Sequence, residues 1–155
     1  MTRQSLRFCV LGDSLAAGVG CQRPEQTPGS LLAAAPRSVG HQVDLRVHTV
    51  PRARSTALAA QVRAALATGA DLALIIIGAN DLTALLPPAH GAQLLHDAVA
   101  DLRAAGAEVA SGPGHVCSRY ALVGVRMSRA VATATQVAVA TSSSPVISNR
   151  MSSGG

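Results

Sequence analysis

Leu72-Ala73-Leu74-Ile75-Ile76-Ile77-Gly78-Ala79-Asn80-Asp81 opens on an unbroken apolar run, β-branched at its end, and stops at a glycine. Such a run, bounded by a turn residue, is the pattern of a strand covered on both faces, which is the usual state of strands in parallel sheets. Upstream, Leu6 to Leu11 is a second short apolar run and ends at Gly12. Between the two, Val43, Leu45 and Val47 alternate with Asp44, Arg46 and His48, the period of a half-buried strand. Helices fill the gaps. Ser30 to Ala35 predicts a short one after the loop around Pro24 and Pro28. Ser55 is placed to cap another, with Leu58, Val62 and Leu66 on its apolar face and Gly69 to stop it. Downstream, about Gln93 to Ala105 predicts a third, with Leu94, Leu95, Ala98, Val99 and Leu102 on one side, and Glu108 to Ala110 predicts a fourth strand. Strands alternating with helices define an α/β chain with a parallel sheet and helices on both faces.

The chain has 155 residues, enough for one domain with one core. That domain is expected over residues 1–140, with Ser118 to about Ala140 as a last helix. Residues 141–155, rich in Ser, are expected to form a disordered tail. Apolar residues make up 48%, yet Phe8 and Tyr120 are the only aromatics, so Ala, Val, Leu and Ile must build the core. All 13 basic residues are Arg and the formal charge is +5. They form no stripe and have no aromatic stacking segment beside them, which argues against a nucleic-acid partner. Cys9, Cys21 and Cys117 suggest neither a disulfide framework nor a metal site. The apolar stretches are too short for a signal-peptide core or a membrane span, so a cytoplasmic location is expected.

Two motifs occupy equivalent places. Gly12-Asp13-Ser14 follows the first strand and Gly78-Ala79-Asn80-Asp81 follows the third. Where strand order reverses between two such strands, both carboxyl ends border the crevice that binds ligands. A serine hydroxyl on a sharp strand-to-helix turn can attack a carbonyl, and backbone N–H groups at that turn with an asparagine amide can hold the resulting oxyanion. Asp13 and Asp81 are expected to hold their turns by side-chain hydrogen bonds rather than to react.

Phe8 to Ser14 resembles the first block of the SGNH (GDSL-like) hydrolases, with Ser14 at the position of the nucleophile. Ile75 to Asp81 is similar to the third block, with Asn80 at the position of the oxyanion donor. The resemblance runs from Leu6 to about Val109. It implies a flavodoxin-like three-layer α/β/α sandwich and hydrolysis of carboxylic esters or acyl groups, with a small-molecule ester as partner and no cofactor or metal. In the second block the resemblance implies a glycine whose N–H completes the oxyanion hole. Val50-Pro51-Arg52-Ala53-Arg54-Ser55 puts Arg52 there, which keeps the N–H but adds a Cβ that disfavours a backbone conformation glycine would tolerate.

The family's last block, D-x-x-H, has no counterpart in this chain. His115 is the nearest base, followed by Cys117 to Val123, which are similar to the residues leading into the family's final helix. Gly112 stands where the orienting Asp would be. In the serine-protease triad, loss of that Asp costs about 10⁴ in rate, so impaired activity is expected. From Val109 onward there is no acidic residue and no room before His115 for a further strand and helix, as an internal deletion or an altered sequence would produce. A sheet missing its last strand would expose an edge, which predicts a homodimer. His41, His48, His90 and His96 are expected at the surface. Two alternatives stand beside the esterase: an inactive relative that binds a ligand or partner through the same pocket, and a phosphate or nucleotide binder. The second has no GxGxxG or GxxxxGK[ST] pattern to support it.

Overall fold

The computed structural model describes residues 5–113. In chain order its regular elements are β1 (Leu6–Gly12), α1 (Ser14–Ala17), α2 (Pro28–Ser38), β2 (Val43–Val47), α3 (Leu58–Thr68), β3 (Leu72–Ile77), α4 (Ala79–Thr83), α5 (Pro88–Ala104) and β4 (Glu108–Pro113). The strands lie in the order β2-β1-β3-β4 and every pairing is parallel. Strand order reverses after β2, so the switch point falls between β1 and β3, as the two motifs require.

Side-chain alternation along the strands divides the core in two. Phe8, Val10, Leu72, Leu74 and Ala110 face one way and pack with Ala16 of α1 and Leu32 and Ala33 of α2. Cys9, Leu11, Ala73, Ile75, Ile77 and Val109 face the other way and pack with Leu58, Val62 and Ala65 of α3 and Ala98 and Leu102 of α5. The result is the three-layer α/β/α sandwich of the flavodoxin type. Cys9 is fully buried among these groups, a small hydrophobe as its apolar setting implies, and burial pushes its thiol pKa up.

Local chemistry sets the element ends, and some differ from the sequence reading. The helix expected at Ser30 to Ala35 extends over Pro28–Ser38 because the Thr27 side chain caps it and Pro28 takes the first helical position. The helix expected from about Gln93 begins at Pro88, which takes the first helical position there without a side-chain cap. Ser55 does not cap α3. It begins a short 3₁₀ turn (Ser55–Ala57), and its polar groups bond elsewhere. At the amino ends of β1 and β3, the Arg7 guanidinium and backbone N–H both donate to the Asp71 carboxylate, which Arg7 holds below the usual carboxylate range. No helix of the described residues is long and apolar enough to cross a membrane. His115, Tyr120, the helix expected from Ser118 and the Ser-rich tail lie outside the described residues.

Candidate active site

β1 ends in a turn with no spare room. Gly12 has a φ of 134°, and a Cβ there would sit 1.9 Å from the Ile76 carbonyl oxygen, so only glycine lets β1 and β3 approach this closely. Asp13 follows, 1% exposed, and its Oδ1 accepts from the Leu15 N–H at 2.8 Å, capping α1. Ser14 is the first residue of α1 and is half-buried. Among the described residues nothing hydrogen-bonds its hydroxyl or its backbone N–H.

β3 ends at Gly78, whose φ of 117° turns the chain directly into α4 and presents Asn80 at the same rim. The Asn80 Nδ2 donates to the Ala53 carbonyl at 2.9 Å and to Asp13 Oδ2 at 3.2 Å. One amide thus touches the residue before Ser14 and the residue after Arg52.

Arg52 lies in a turn closed by the Ala53 N–H on the Val50 carbonyl at 3.1 Å. Pro51 at the second position and a positive φ of 61° at Arg52 make the type II pattern, whose third position is ordinarily Gly. Arg52 therefore adopts the left-handed backbone that its Cβ disfavours, at a cost of about 1–2 kcal/mol. Its side chain is exposed, and no described group accepts from its backbone N–H. The turn is fastened to the first motif by the Val50 N–H, which donates to the Gly12 carbonyl at 3.1 Å.

Three features were not legible as parts of the site. Asp81, buried, accepts from the Ser55 N–H at 3.2 and 3.1 Å and from the Ser55 hydroxyl at 2.7 Å, so it ties α4 to the segment entering α3 instead of holding its own turn. Gln61, buried on α3, accepts from the Gly12 N–H at 2.7 Å and donates to the Gly12 carbonyl at 2.9 Å. Its place three residues after Leu58 and one before Val62, on a core-facing stripe, was the available signal. His48 is not a plain surface residue: its Nε2 is buried without a partner among the described residues. Burial and then the Arg46 charge push its pKa below 6.5. His41, His90 and His96 are exposed as expected.

A serine on one turn and an asparagine amide on the other, flanking the switch point of a parallel α/β/α sandwich, define the SGNH hydrolase architecture. The chain belongs to the GDSL-like lipase/acylhydrolase family, whose model matches residues 10–147 and so runs on past Val109. It is 38% identical over 110 residues to the GDSL-like esterase Rv1075c of Mycobacterium tuberculosis, over 69% of this chain. It spans only 35% of that relative's length. Among solved structures it is similar to TesA, at 27% identity and a TM-score of 0.60 over 68% of this chain and 58% of that one. The esterase EstA from Pseudoalteromonas sp., in a structure inhibited by monoethylphosphonate, gives 25% identity and 0.55 over 68% and 57%. AlinE4, an SGNH-hydrolase family esterase, shares the fold at 23% identity and 0.60, over 78% and 67%.

Proposed function

We propose that this chain is a serine ester hydrolase acting on small carboxylic ester or acyl substrates. Ser14 attacks the ester carbonyl, the backbone N–H groups of Ser14 and Arg52 with the Asn80 amide hold the oxyanion, and His115 takes the serine proton. The supporting observation is the reach of Asn80, whose amide contacts Asp13 at 3.2 Å and Ala53 at 2.9 Å and so gathers the three motif segments at one rim. Both Nδ2 hydrogens have acceptors in the free protein. A developing oxyanion takes the place of the Ala53 carbonyl, because a charged oxygen is a stronger acceptor than a neutral carbonyl.

No cofactor or metal enters this mechanism. Without an aspartate three residues before it, His115 is a weak base and turnover is slow. The reading carries a cytoplasmic location and a homodimer through an exposed sheet edge. Among the described residues β4 is the edge strand on the side that a missing last strand would have covered, and it is the edge that favours the dimer.

The test is a fluorophosphonate probe on the purified, folded chain. Labelling that disappears on Ser14→Ala supports the reading. A folded protein that takes no label is an inactive relative, and the esterase assignment is then withdrawn.

A further inference from the structure

Gln61 is an amide placed in a core of Ala, Leu, Val and Ile. Of the described residues, only three others that are polar or charged are buried: Asp13, Ser55 and Asp81. Burying an amide is unfavourable unless its donors and acceptor are met. Gln61 uses its oxygen and its nitrogen on a single residue, accepting from the Gly12 N–H and donating to the Gly12 carbonyl, as a neighbouring strand would. The same carbonyl accepts from the Val50 N–H, at the start of the turn that carries Arg52. On its other side Gly12 abuts the Ile76 carbonyl so closely that no Cβ fits. Gly12 is thus fixed from α3, from the Arg52 turn and from β3, and Ser14 follows two residues later.

We infer that Gln61 is a positioning residue for the nucleophile: its paired hydrogen bonds on Gly12 set the pose of the Ser14 turn and lock it to the Arg52 turn. Gln61 touches neither substrate nor Ser14 itself. Its action is through Gly12, and it keeps the attacking hydroxyl and two oxyanion donors in one fixed arrangement before substrate arrives. Such arrangements are sensitive, since a misplacement of about 1 Å can cost about 10²-fold in rate. This inference rests on the esterase reading above and adds a residue that none of the motif segments contains.

Gln61→Met is the direct test, because it keeps the length and fills the core while removing both bonds. Labelling of Ser14 by the fluorophosphonate and hydrolysis of p-nitrophenyl acetate are followed per folded molecule, with the folded fraction taken from circular dichroism. The expected result is a fall in labelling rate and kcat of about tenfold or more with KM little changed. Gln61→Glu supplies the second measurement. Its protonated acid can accept from the Gly12 N–H and donate to the Gly12 carbonyl, whereas the ionised form can only accept. The rate of Gln61→Glu divided by that of the unaltered protein should therefore rise as pH falls, a ratio in which the titration of Asp13, Asp81 and other shared groups cancels.

If the unaltered chain takes no label, the esterase reading fails and this inference with it. If it labels, and Gln61→Met labels at the same rate per folded molecule with a flat Gln61→Glu ratio, only the inference fails. The amide is then a structural filler.

Discussion

The Asn80 amide nitrogen lies 3.2 Å from the carboxylate of Asp13, a residue 67 positions earlier in the chain. That contact spans the switch point of the sheet and joins the turn after β3 to the turn after β1. Asp13 is buried and acceptor-only when ionised, so it fixes which end of the Asn80 amide turns toward the first motif: the nitrogen, a donor. Removing that donor with Asn80→Ala should lower kcat by about 10²–10³ with little change in KM, as for loss of one oxyanion-hole donor. Asn80→Asp should be worse, because it removes the donor and sets a second carboxylate beside a buried one. Ester hydrolysis by both variants, with thermal denaturation to confirm folding, checks this. An Asn80→Ala protein with unaltered kcat would remove Asn80 from the mechanism.

The layers of the fold were legible because their signals are local. The run Leu72–Ile77 is short, β-branched at its end and bounded by Gly78, which reads as a strand buried on both faces, and Gly12 and Gly78 mark where the strands turn. Long-range polar pairings were not legible. Ser55 has the residue type and place of a helix cap, but its hydroxyl and N–H bond to Asp81, 26 residues away, and nothing local distinguishes the two fates. Gln61 escaped for a similar reason: a polar residue within a helix reads as solvated until the backbone group it serves is brought beside it. Arg52 was legible as a departure from glycine. That it would take the left-handed backbone all the same was not.

The Arg52 turn makes a stability prediction that is independent of catalysis. A non-glycine residue at a φ of 61° carries strain of about 1–2 kcal/mol. Arg52→Gly releases it and gives back about 0.4–1 kcal/mol through the greater freedom of the unfolded chain, whereas Arg52→Ala keeps the strain. Arg52→Gly should therefore be the more stable of the two by up to about 1.6 kcal/mol in urea denaturation. The opposite order would show that this turn is not strained.

His48 gives the pH prediction. Burial first, and then the charge of Arg46, lower its folded pKa below the ordinary value of 6.5, which the unfolded chain retains. Between those two values the unfolded state binds more protons than the folded state. The contribution of His48 is therefore complete above pH 6.5 and is lost as pH falls below it. Urea denaturation should show stability declining in that acid window, and His48→Gln, which cannot titrate, should flatten the decline. In an NMR titration the His48 ring should change protonation below the ordinary histidine value of 6.5. If it titrates at 6.5 or above, the imidazole is solvated and its Nε2 is not buried without a partner.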